Sequence, residues 1–106
     1  MNKEISAVEA SNLSDQDKTV TFLDVREQVE LEICRIEGAI HIPMGNIPER
    51  FEQLPKDKTI IVFCHHGMRS RTVQEYLEAQ GFENLINLAG GIHAWAINVD
   101  PTIKQY

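Results

Sequence analysis

Thr59-Ile60-Ile61-Val62-Phe63-Cys64-His65-His66-Gly67-Met68-Arg69-Ser70 is the stretch whose reading decides the fold. Between Thr59 and Cys64 the residues are apolar without a polar alternation, the pattern of a strand covered on both faces, as in a parallel sheet held between helices. This strand is expected at the centre of the fold. Beyond Arg69 the period changes: Val73, Tyr76, Leu77 and Gln80 recur at i, i+3, i+4 and i+7, and Gly81 stands where such a helix would stop. A strand, a tight loop and a helix follow in order.

The same punctuation extends in both directions. Upstream, Val20-Thr21-Phe22-Leu23 ending at Asp24 reads as a buried strand, and Val29, Leu31 and Ile33 among acids suggest a short helix. Ala39-Ile40-His41-Ile42 before Pro43 reads as another strand, and Ile47, Phe51 and Leu54 give a helix at i, i+4, i+7. Downstream, Leu85 to Leu88 is a strand, Gly90-Gly91 a turn, and Ile92, Trp95 and Ala96 one face of a last helix. The alternation implies a three-layer α/β/α sandwich with a mostly parallel sheet. Ligands bind such sheets beyond the carboxyl ends of the strands, here Asp24, Pro43, Cys64 and Ala89.

At 106 residues the chain suits one domain, residues 1–106, and 42% hydrophobic with 25% charged residues is enough to bury a core. Sixteen acids against ten bases give a net charge of −6, which argues against nucleic-acid and membrane partners. Cys34 and Cys64 form no metal-ligand or disulfide pattern, so no metal is expected and a reducing compartment fits. Met1-Asn2-Lys3-Glu4-Ile5 lacks a secretory pattern and no apolar run approaches a membrane span, so the chain is expected to start at Met1 in the cytoplasm.

Cys64, at the end of the central strand, is the strong nucleophile among the strand-end residues. A free cysteine of pKa ~8.5 is only a few per cent thiolate at neutral pH. A loop folding back on the sulfur brings backbone N–H groups to it, and the start of the following helix, five or six residues on, adds its unsatisfied donors. No acid occurs between Lys58 and Glu75, whereas Arg69 and Arg71 do, so a small positive pocket is expected in an acidic chain. Gly67 permits close backbone approach, Ser70 offers a helix cap, and Arg69 offers either a planar donor fork or its backbone N–H to an oxyanion.

These residues, together with Leu23-Asp24-Val25-Arg26-Glu27, Glu37-Gly38-Ala39-Ile40-His41-Ile42-Pro43 and Leu88-Ala89-Gly90-Gly91-Ile92-His93-Ala94-Trp95, make the chain resemble the rhodanese-like sulfurtransferases. The four blocks stand in family order and span roughly residues 3 to 98. The resemblance implies a five-stranded rhodanese-like sheet. It also implies that Cys64 takes a sulfane sulfur from a small donor such as thiosulfate, carries it as a persulfide within a ring formed by His65, His66, Gly67, Met68, Arg69 and Ser70, and passes it to cyanide, a thiol or a protein. No cofactor is implied, since sulfur itself is the carried group. Glu32 to Gly38 and Val99 to Tyr106 are similar to the rhodanese domain of enzymes that sulfurate sulfur-carrier proteins, which suggests a carrier protein as acceptor.

Two other functions share these residues: a non-catalytic rhodanese-like module that binds a partner or senses redox state, and a cysteine phosphatase or arsenate reductase. The spacing Cys64-x4-Arg69 disfavours the last, because those enzymes use a loop one residue longer. Cys34 is read as structural or incidental, Asp24 and Arg26 as loop ties, His41 and His93 as hydrogen-bonded structural residues, and Trp95 as core. Gly90-Gly91 is read as the place where the chain passes close under the active loop.

Overall fold

The computed structural model describes residues 3–106, so the expected start at Met1 lies outside the described residues. The chain forms β1 (Glu4–Ile5), α1 (Ala7–Gln16), β2 (Thr21–Asp24), α2 (Gln28–Ile33), β3 (Ile40–His41), α3 (Ile47–Arg50), β4 (Ile60–Phe63), α4 (Met68–Ala79), β5 (Leu85–Leu88) and α5 (Gly91–Asn98). The five strands lie in the order β1-β5-β4-β2-β3, and every pairing is parallel.

All four residues of β4 are buried, and the strand sits mid-sheet, as its unbroken apolar run predicts. Alternation of side chains splits it between two cores. Ile60, Val62 and Cys64 join Leu23, Val25, Ile47, Val73 and Leu77 on one face, whereas Ile61 and Phe63 join Ala7, Ala10, Ile86 and Ile92 on the other. Helices α4 and α3 therefore cover the first face, and α1 and α5 the second. At roughly 1.5–3 kcal/mol for each fully buried large apolar side chain, this double burial makes β4 a costly place to introduce a polar residue.

Three features depart from the sequence reading. Strand β1 and helix α1 were not among the expected elements; α1 buries only Ala7 and Ala10 and starts with a capping box in which Ser6 and Glu9 exchange hydrogen bonds. The expected helix carrying Ile47, Phe51 and Leu54 is instead two 3-10 turns, Met44–Asn46 and Phe51–Gln53, flanking the four-residue α3. Its apolar residues still pack on the core. Helix α4 begins at Met68, sooner than expected, because Gly67 at φ 119° turns the chain in a conformation that other residues rarely adopt.

Candidate active site

Since all strands run the same way, Asp24, His41, Phe63 and Leu88 end on one rim of the sheet, and the loops that follow them share that rim. Cys64 lies there at 1% exposure, with Sγ accepting the backbone N–H of Gly67 at 3.0 Å. The loop from Cys64 to Gly67 is anchored from beneath by α5, whose first turn donates from Ile92 N to Cys64 O at 2.9 Å and from His93 N to His65 O at 3.1 Å. Gly91 makes this approach feasible. Its φ is +60°, and a Cβ there would lie 2.6 Å from the His65 carbonyl carbon and closer still to the carbonyl oxygens of Cys64 and His65. The chain thus passes close under the loop, as expected for this pair of glycines.

Ser70 is fully buried, but it is not the cap of α4. Its Oγ lies 3.4 Å from Cys64 Sγ, 2.6 Å from Asn87 Oδ1 and 3.2 Å from Gly67 O. Asn87, in β5, fixes this arrangement: its Nδ2 donates to Gly67 O at 3.2 Å and to Glu4 Oε2 at 3.0 Å, so Oδ1 faces the Ser70 hydroxyl. Flipping the amide would set oxygen against the Glu4 carboxylate. Asn87 is a site residue that the sequence reading did not single out; a lone Asn inside an otherwise apolar strand was the available signal.

The arginines are all engaged. Arg26 is fully buried against Asp24, with Nη2 to Oδ2 at 2.8 Å and Nε to Oδ1 at 3.0 Å, and it also donates to the carbonyls of Glu30 and Cys34. Burial is the largest single influence and opposes its charge, but the hydrogen bonds to Asp24 and Tyr106 and the attraction of both groups together outweigh it and raise its pKa. Asp24 and Arg26 thus tie loops, as expected, while His41 Nε2 makes a 2.7 Å hydrogen bond with Arg26 O. Arg69 forms a two-pronged pair with Glu30 of α2, at 2.6 and 2.9 Å, and Arg71 pairs with Glu4 at 2.9 Å. The positive pocket expected from the acid-free stretch is therefore corrected: carboxylates from distant parts of the chain neutralise both arginines.

Tyr106 closes over this arrangement. Its ring stacks on His65 at 3.8 Å and 4°, while its hydroxyl accepts from Arg26 Nη1 at 2.9 Å and donates to Glu30 Oε2 at 2.7 Å. Burial pushes the Tyr106 hydroxyl up to about 12, so it stays a donor. Glu30 is held down at about 2, chiefly by Arg69, against the opposing effect of burial and with help from the Glu27 N–H and Tyr106. Burial, followed by the neighbouring His66, lowers the pKa of His65.

The remaining loop residues divide between wall and surface. His65, His66 and His93 form a ring cluster, with His65 and His66 centroids 4.0 Å apart and His66 and His93 5.0 Å apart. Contrary to the hydrogen-bonded role expected of His93, its Nδ1 is buried without a hydrogen-bond partner, as is His65 Nε2. Among the described residues no group of His, Cys, Asp and Glu is arranged to hold a metal ion. Met68 projects outward at 84% exposure. Cys34 is a free thiol 3.9 Å from Arg26 Nη1, so a basic group does reach it in space, and with His65, Tyr106 and Lys104 it lines a small cleft. Trp95 packs edge-on against Phe22 at 5.4 Å, at the margin of the second core. Among the described residues no helix is long and apolar enough to cross a membrane.

Comparison with known proteins gives a consistent result. The model of the rhodanese-like domain matches residues 6–98. The thiosulfate sulfurtransferase GlpE of Coxiella burnetii is 36% identical over 95 residues, covering 90% of this chain and 88% of that protein. A sulfurtransferase of Allochromatium vinosum is 35% identical over 103 residues, covering 97% of this chain and 96% of its own. A crystal structure of a rhodanese-like domain protein from Staphylococcus aureus superposes with a TM-score of 0.84 at 35% identity, covering 98% of both chains.

Proposed function

Because the chain belongs to the rhodanese-like sulfurtransferase family, we propose that it transfers a sulfane sulfur through a persulfide on Cys64. The observation that carries this reading is the Gly67 N–H at 3.0 Å from Cys64 Sγ, a donor aimed at the sulfur from a loop pinned beneath by α5. Such a donor stabilises negative charge on whichever sulfur occupies the position.

In the first half-reaction the Cys64 thiolate attacks the outer sulfur of a donor, with thiosulfate the simplest. The donor S–S bond breaks, sulfite leaves with the bonding electron pair, and Cys64 retains the outer sulfur as a persulfide. In the second, an acceptor nucleophile takes that sulfur and Cys64 returns to the thiolate. Cyanide would give thiocyanate and a thiol would give a new persulfide, with a sulfur-carrier protein as a further acceptor class. Two half-reactions on one residue predict ping-pong kinetics. The loop backbone of His65, His66, Gly67, Met68, Arg69 and Ser70 forms the ring around the carried sulfur, and residues 1–106 act as one cytoplasmic domain with sulfur as the only carried group.

The test is intact-mass measurement after incubation with thiosulfate. The expected outcome is a gain of one sulfur atom, absent in Cys64→Ser and discharged by cyanide. Failure to load sulfur from thiosulfate and from an alkyl persulfide would overturn the reading.

A further inference from the structure

Arg69 is the arginine of the Cys64 loop, yet it faces a carboxylate. Glu30 receives four hydrogen bonds: two from Arg69 at 2.6 and 2.9 Å, one from Tyr106 at 2.7 Å and one from the Glu27 N–H at 3.0 Å. Tyr106 is itself fixed, by Arg26 at one end and by the stack on His65 along its ring. The Glu30 side chain is 14% exposed, so water screens the pair only in part. Arg71, the next arginine of α4, is bound to Glu4, and Arg26 to Asp24.

We propose that Glu30, latched by Tyr106, is a specificity-determining residue that withholds the Arg69 charge from the mouth of the Cys64 loop and so directs the site toward thiol-borne sulfane sulfur rather than small dianions. The proposal rests on the sulfurtransferase reading above. A small dianion such as thiosulfate gains most from a free guanidinium at the mouth, and here that guanidinium already holds a counter-charge. An organic persulfide depends less on it, because its carbon frame can use apolar contact. Val29 and Met68, the sequence neighbours of the paired Glu30 and Arg69, are apolar side chains 64% and 84% exposed and so open to such contact. With such a donor the Cys64 thiolate attacks the outer sulfur of R–S–SH. The S–S bond breaks, R–S⁻ leaves with the electron pair, and the outer sulfur stays on Cys64 with its proton.

Alkylation of Cys64 by iodoacetate and by iodoacetamide tests the latch without sulfur chemistry, since the two reagents are similar in size and differ in charge. In Glu30→Gln the ratio of the iodoacetate to the iodoacetamide rate is expected to rise by about tenfold at low salt and to fall back as ionic strength screens Arg69. In Glu30→Gln/Arg69→Gln the ratio should return to the wild-type value, and Tyr106→Phe should give an intermediate rise. The kcat/KM for thiosulfate should increase in Glu30→Gln while that for an alkyl persulfide changes less. A ratio unchanged in Glu30→Gln, or a rise that persists in the double variant, overturns the latch even if the protein loads sulfur normally. A ratio that rises as expected in a protein that loads no sulfur supports the charge latch, and removes the sulfurtransferase reading and the donor preference built on it.

Discussion

Substituting Gly91 by alanine tests whether the contact beneath the Cys64 loop organises the site. Two costs add at this position. An L-residue at φ +60° costs roughly 1–2 kcal/mol, and forcing a methyl into close-packed backbone costs about 1–3 kcal/mol. The second cost cannot be relieved by a side-chain rotation, because the obstructing atoms are the backbone carbonyls of Cys64 and His65. Gly91→Ala is therefore expected to lose about 3 kcal/mol, a large share of the 5–15 kcal/mol typical of a small domain. Two glycines provide controls. Gly38 has φ +84° with nothing within 4 Å of a built Cβ, so Gly38→Ala reports the backbone cost alone, about 1 kcal/mol. Gly45 has open space and no positive φ, so Gly45→Ala should lie within about 0.5 kcal/mol of the parent. Urea unfolding followed by circular dichroism measures all three, and at a slope of about 1.5 kcal/mol/M the Gly91 variant should shift the midpoint down by about 2 M. If Gly91→Ala costs no more than Gly38→Ala, the loop is not held from below and the account of its geometry fails.

Asn87→Ala should cost about 1–3 kcal/mol, because it removes the 2.6 Å partner of the buried Ser70 hydroxyl and one of the donors to the Gly67 carbonyl; an unchanged unfolding midpoint would show that neither depends on it. Acid stability should report on Glu30. Its folded-state value of about 2 lies below the ordinary 4.5, so its contribution is full above pH 4.5 and is lost as pH falls toward 2. The stability gap between the wild type and Glu30→Gln should close over that window, and a gap independent of pH would contradict the pairing. For His65 the shift is also downward, so folding favours the neutral ring and loses that contribution as pH falls below 6.5. An NMR titration of its ring should give a midpoint under 6.5, and a higher one would place the ring in a more solvated or more acidic setting.

The fold was legible where side-chain period and burial coincide. The run through Phe63 has no alternation because β4 is covered by helices on both faces, and Gly81 marks the end of α4 because it adopts φ +96°. Helix α1 was harder to read because its buried contacts are two alanines, which give no apolar stripe; the Ser6–Glu9 capping box was its visible mark. The broken segment around α3 shows that apolar spacing fixes which side chains reach the core without fixing the backbone between them.

The candidate site was legible in the placement of Cys64 and of its glycines, which follows from local chain geometry. Its charge was not, because electrostatics depends on distance in space. Residues 59–74 hold no acid, yet Glu30 and Glu4 reach Arg69 and Arg71 from 39 and 67 positions away. The same holds for Cys34, acidic by sequence neighbourhood and yet touched by Arg26 in the fold.

The uniform direction of the five strands has a practical consequence for handling the molecule. Every strand begins on the rim opposite Cys64, where Asp17, Lys18 and Thr19, Lys56, Asp57 and Lys58, and Glu83 and Asn84 are exposed. A fluorophore, an affinity tether or an inserted peptide placed in these turns would sit a full strand length from the thiol. The protein can thus be immobilised or labelled from one side while the rim that carries Cys64 remains open.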